Sequence, residues 1–73
     1  MEQELAGKVC RYIYKEFRSK YKSNREFADS CGIDEKTVRL IQQQVYNPSL
    51  NLFKQICDAQ GVKMSFVLAE VGE

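Results

Sequence analysis

The sequence predicts an all-α fold, a compact bundle of five short helices in one domain spanning residues 1–73, and three observations carry that expectation. Apolar residues recur every three to four positions from Ala6 to Tyr21, the spacing of one helix face. Ser23, Asp34 and Ser49 each stand ahead of a run with helical apolar spacing, and Gly32 and Gly61 stand where such runs stop. The chain contains no internal repeat, low-complexity tract or linker, so the helices are expected to share one core.

The first helix is expected from Glu4 to about Tyr21, with Ala6, Val9, Ile13, Phe17 and Tyr21 on its buried stripe and Cys10 and Tyr14 widening it. Its other face carries Lys8, Arg11, Lys15, Arg18 and Lys20, and Lys22 and Arg25 continue the basic run. The second helix begins at a capping box, Ser23 followed three residues later by Glu26, in which each side chain satisfies a backbone amide of the other. Phe27 and Ala28 are its apolar pair. It stops at Cys31-Gly32, because glycine enters the left-handed region without a side-chain clash. Ile33 plugs the corner, and Asp34 is an N-cap for a third helix from Glu35 to about Gln43. Val38 and Ile41 share one face of it; Lys36, Arg39, Leu40 and Gln43 share another.

Beyond it, the stretch from Gln42 through Val45 to Pro48 is the helix exit and a loop, since proline holds Asn47 away from helical angles. Ser49 caps a fourth helix, Leu50 to Gln60, with Leu50, Phe53, Ile56 and Cys57 facing inward. Gly61 ends it. A short final helix runs from about Ser65 to Glu70, with Val67 and Leu68 inward. Phe66 and Val71 cannot all share the core with Val67 and Leu68 in so short a helix, and together with Leu52 they are candidates for a dimer interface.

Composition narrows the function. A chain of this length buries only about 60% of its unfolded surface, so modest stability is expected. No apolar run reaches the roughly 20 residues of a membrane span. The amino end starts acidic and lacks the basic flank and apolar stretch of a signal peptide, so a cytoplasmic location is expected. Cys10, Cys31 and Cys57 are odd in number, far apart and without a C-x-x-C pair, which points to buried thiols and away from a zinc or disulfide framework; a redox switch is the alternative. There is no histidine, so the commonest general base and metal ligand is missing. Neither an enzyme, a metal nor a cofactor is expected. The net charge is only +1, yet residues 7–25 hold seven basic side chains against one acid, Glu16. Such a local cluster attracts phosphate more than the net charge suggests.

Two short helices joined by a glycine turn, the second presenting an outer face, form the helix-turn-helix pattern. Read without gaps, SNREFADSCGIDEKTVRLI resembles the helix-turn-helix of the phage Cro and lambda-repressor family, also called XRE-like, through Ser23, Asn24, Glu26, Phe27, Ala28, Gly32, Ile33, Thr37, Val38 and Ile41. Asn47-Pro48-Ser49-Leu50 and Gly61-Val62 resemble the family's later signals, so the likeness covers roughly Phe17 to Leu68. The chain departs from the pattern at Gln42-Gln43-Gln44, where many relatives have Glu-polar-Gly.

The resemblance implies a lambda-repressor-like DNA-binding domain that regulates transcription as a homodimer on a palindromic operator. It places the third helix in the major groove of double-stranded DNA, with Glu35, Lys36, Arg39, Leu40 and Gln43 as base-contact candidates. Lys22, Asn24, Arg25, Asp34, Thr37, Tyr46 and Asn47 become phosphate or groove-rim candidates. Two alternatives accompany it. One is an antitoxin that binds a toxin partner and its own operator. The other is a protein-interaction module that keeps the fold without DNA binding, favoured by the low net charge, Glu35 and Leu40.

Overall fold

The computed structural model describes residues 3–44 and 46–72. Among the described residues, five α-helices form the globule: α1 (Gln3–Tyr12), α2 (Asn24–Cys31), α3 (Glu35–Gln42), α4 (Leu50–Ala59) and α5 (Met64–Glu70). Among the described residues there is no strand, and no helix is long and apolar enough to cross a membrane. Val45, expected in the loop after α3, lies outside the described residues.

The long first helix follows its expected path but not as one regular α-helix. After Tyr12 it widens into a π-helical segment, Ile13–Phe17, in which the Arg18 amide donates to the Ile13 carbonyl, and then tightens into a 3-10 turn, Arg18–Lys20. Ile13 and Phe17 are both buried there. The wide turn shifts the helical phase, as π-bulges do. Tyr21 is extended at the end, so the helix stops one residue short of the expected limit.

The remaining helices start and stop for local reasons. The Ser23 hydroxyl accepts from the Glu26 amide at 3.1 Å, the Asp34 carboxylate from the Lys36 amide at 3.3 Å, and the Ser49 hydroxyl from the Leu52 amide at 3.1 Å. Each satisfies a donor that the first helical turn leaves open. Gly32 takes φ 70°, with its amide donating to the Asp29 carbonyl and the Ile33 amide to the Ala28 carbonyl. That crossed pair of bonds is the Schellman ending. Gly61 and Val62 repeat it after α4, on Asp58 and Cys57. After α3 the corresponding place is held by Gln44, a residue with a side chain at φ 61°.

One core joins all five helices. Val9, Cys10 and Ile13 from the first helix meet Phe27 and Ala28 of α2, Val38 and Ile41 of α3, Phe53, Ile56 and Cys57 of α4 and Val67 of α5. Leu50, expected inward, is instead 66% exposed. It is the first residue of α4, and side chains on a helix lean toward its amino end, so Leu50 projects past the rim of the core that Phe53 enters one turn later. Phe66 is 53% exposed, while Leu68 and Val71 pack partly buried against the core.

All three thiols are buried and free. Burial raises the Cys10 and Cys57 thiols from the ordinary 9.0 to about 11, against a weaker lowering of Cys10 by the Tyr46 backbone and with further raising of Cys57 by Asp58 and Cys31. Because the unfolded chain loses these protons first, their contribution to stability is complete below about pH 9 and is lost as pH rises toward 11. Thermal unfolding followed by circular dichroism is expected to show a falling midpoint across that alkaline window, and Cys10→Ala with Cys57→Ala to flatten the fall.

A side chain in the left-handed region costs about 1 kcal/mol. Gln44→Gly is therefore expected to raise stability by about 0.5 to 1 kcal/mol in urea unfolding, even with the loss of the Gln44 side chain's exposed contact with Arg11.

Candidate nucleic-acid interface

α2 and α3 pack on each other more extensively than any other pair of the five helices, joined by the three residues Gly32, Ile33 and Asp34. The corner is fixed from outside by α4. The Gln55 side-chain amide donates to the Cys31 carbonyl at 2.8 Å and to the Gly32 carbonyl at 3.0 Å. A β-carbon at Gly32 would stand 3.2 Å from that amide nitrogen, so glycine meets both the backbone angle and the close approach. Tyr21 closes the lower side: its hydroxyl accepts from Ser30 at 2.9 Å and from Gln60 at 3.0 Å, and its ring lies 5.4 Å from Phe27.

This seating leaves one face of α3 inside and the other in solvent. Val38 and Ile41 are fully buried, Thr37 and Leu40 are half-buried, and Glu35, Lys36 and Arg39 are exposed, as is Gln43 just past the helix end. The base-contact candidates therefore share one accessible face. Two of them also hold each other, with Arg39 Nη2 lying 3.9 Å from Glu35 Oε1 one turn earlier. Both side chains are well exposed, so the pair adds little stability. Leu40, half-buried, faces the same side.

The rim candidates gather at the start of α2 and the end of α3. Lys22 and Arg25 are exposed, and Asn24, half-buried, bridges elements. Its side-chain oxygen accepts from Arg18 Nε, and its amide donates to Gln42 Oε1 at 3.5 Å. Asp34 is occupied in capping. Between α2 and α3 a polar notch is lined by Arg25, Ala28, Asp29, Ile33, Asp34 and Glu35, which puts three carboxylates beside the first turn of α3. Tyr46 is half-buried with its carbonyl accepting from the Cys10 thiol at 3.1 Å, which ties the loop after α3 to α1, and Asn47 is exposed beside it.

The dimer candidates fall in different surroundings. Phe66 lines a shallow apolar groove with Gly61, Val62 and Lys63. Val71 lines another with Lys8, Arg11, Tyr12, Lys15 and Glu16 on α1 and its extension. Leu52 packs half-buried against the core.

The structure adds Arg11, Arg18, Gln42 and Gln44 to this surface. Arg11 Nη2 donates to Gln44 Oε1 at 3.5 Å, so the first helix touches the exit of α3 directly. In the sequence these two arginines are members of a general basic face, and only their seven-residue spacing, about two helical turns, hints that they share a side. Gln55 and Gln60 carry no sequence signal at all, since each acts across more than twenty residues of chain.

Comparison with protein-family models, with curated proteins and with solved structures found no match.

If Gln55 fixes the corner, Gln55→Ala leaves the Cys31 and Gly32 carbonyls without that donor and is expected to cost about 1 kcal/mol in urea unfolding.

Proposed function

We propose that this chain binds double-stranded DNA in a sequence-specific manner as a small repressor-like regulator of transcription, acting as a homodimer on a palindromic operator. One observation carries the reading: α3 is seated on α2 through Val38 and Ile41 by a three-residue corner, and presents Lys36, Arg39, Leu40 and Gln43 together outward. A helix so held enters the major groove with its first turns near the base edges while the preceding helix crosses the backbone. The resemblance to the Cro and lambda-repressor family supports the same arrangement.

In this reading Arg39 donates its fork to guanine O6 and N7, with Glu35 holding it in line and accepting from cytosine N4 where the partner base offers it. Lys36 gives a second cation, and the exposed part of Leu40 meets a thymine methyl. Lys22, Arg25 and the Asn24 amide lie against the sugar-phosphate backbone and set the register. A single domain of this size covers few base pairs, so two copies about 34 Å apart read two half-sites of opposite sense. Exposed Phe66 beside Val62 is the best-placed apolar surface for pairing copies.

The same exposed phenylalanine favours a second reading, a surface for another protein. In its antitoxin form a toxin occupies that face while α3 keeps the operator; in its pure form the module binds protein alone.

Selection from a randomised duplex pool decides between them. Enrichment of a palindrome with half-sites about one helical turn apart is expected, and Arg39→Ala is expected to cost about 1 to 3 kcal/mol on that site and to relax the preference at one base pair. Absence of any enriched sequence at low salt contradicts the DNA-binding reading. Equal loss on every sequence would make Arg39 a phosphate contact.

A further inference from the structure

We infer that the DNA-facing surface continues from α3 onto the end of the first helix, where Arg11 and Arg18 each hold a backbone phosphate. The inference rests on the DNA-binding reading and extends it to two residues outside the α2 and α3 pair. Three observations support it.

The first is charge left without a counter-charge. Lys8 pairs with Glu4 at 3.9 Å, Arg39 with Glu35 at 3.9 Å and Lys54 with Asp58 at 2.7 Å. Arg11 and Arg18 meet no carboxylate among the described residues. Their acceptors are neutral: Gln44 Oε1 for Arg11, and Asn24 Oδ1 and the Tyr21 carbonyl, at 2.9 Å, for Arg18. Neutral acceptors orient a guanidinium and leave its full positive charge for an outside anion.

The second is preparation. Arg18 is half-buried, bonded through two of its nitrogens, and lies 5.8 Å over the ring of Tyr14. An arginine held on three sides has already lost most of its rotamer freedom, so a phosphate meets Nη2, the nitrogen that neither bond occupies, already in place. The π-helical turn ends at Phe17, and Arg18 opens the 3-10 turn from which it reaches Asn24 of α2.

The third is position. Arg11 reaches Gln44 directly, and Arg18 reaches Gln42 through Asn24, the first residue of α2. Both guanidinium groups therefore border the exit of α3. The two groups bond to different partners beside that exit, Gln44 and Asn24, so each meets its own phosphate.

The salt dependence of binding measures this directly, since each phosphate neutralised releases a counterion and adds about 0.9 to the slope of log affinity against log salt. Binding of the full chain to a short mixed-sequence duplex is titrated between about 50 and 200 mM salt for the wild type, Arg11→Ala, Arg18→Ala, Arg18→Lys and Lys54→Ala. The slope is expected to fall in magnitude by about 0.9 for each alanine variant of the two arginines. Arg18→Lys keeps the charge and is expected to keep the wild-type slope, which separates a phosphate contact from damage to the Asn24 bridge. Lys54→Ala removes a charge elsewhere and is expected to leave the slope unchanged. Wild-type binding with slopes untouched by Arg11→Ala and Arg18→Ala overturns the inference and leaves the DNA-binding reading standing. An equal fall for Lys54→Ala overturns it as well, because the effect then belongs to net charge. A wild type that does not bind the duplex at all overturns both.

Discussion

The face that α3 turns outward depends on the corner at Gly32. The left-handed glycine turns the chain, the Schellman bonds close the carbonyls of α2, and Ile33 packs partly buried against the core. Gln55 then reaches in from α4 and bonds the two carbonyls at the bend. The direction of α3 is thus set by backbone geometry on one side and by a distant helix on the other. With Val38 and Ile41 locked in the core, the rotation of α3 about its own axis is fixed too, and with it the identity of the outward residues.

The electrostatics of the surface are uneven in a way the net charge of +1 hides. Cations without a counter-charge collect along the extension of the first helix and the start of α2, while the first turn of α3 is bordered by Asp29, Asp34 and Glu35. Carboxylates at a helix amino end suit the dipole and serve the cap. In the proposed DNA-binding reading they would also repel a phosphate that approached in the wrong register. In that proposed reading, backbone attraction and groove discrimination fall to different elements, the first to the basic helix and the second to α3. Arg39 sits at the junction, 3.9 Å from Glu35.

How much of this was legible in the sequence follows from the range of each interaction. The caps at Ser23, Asp34 and Ser49 and the glycine stops are settled within four residues of chain, and the bundle of five helices follows from them together with the apolar spacing. The inner face of α3 was legible for the same reason. The π-helical turn was not, because it reflects how Ile13 and Phe17 fit against other helices. Leu50 has the right spacing to be inward, but it begins its helix and overhangs the core. Gln44 was expected only as a departure from a glycine pattern; its left-handed angle with a side chain in place is a cost that the fold imposes. The clamps of Gln55 on the corner and of Gln60 on Tyr21 are invisible without the packing of α4. The same holds for the path from Arg18 through Asn24 to Gln42, in which sequence shows only three polar residues.

The most direct test of the account is a map of backbone amide shifts by nuclear magnetic resonance as a selected duplex is added to the labelled protein. The account predicts that the perturbed amides cluster on α3 from Glu35 to Gln43, at the start of α2 around Asn24 and Arg25, and along the end of the first helix at Arg18, with α5 affected only through pairing of two copies. Perturbations confined to α4 and α5, with α3 silent, would contradict it.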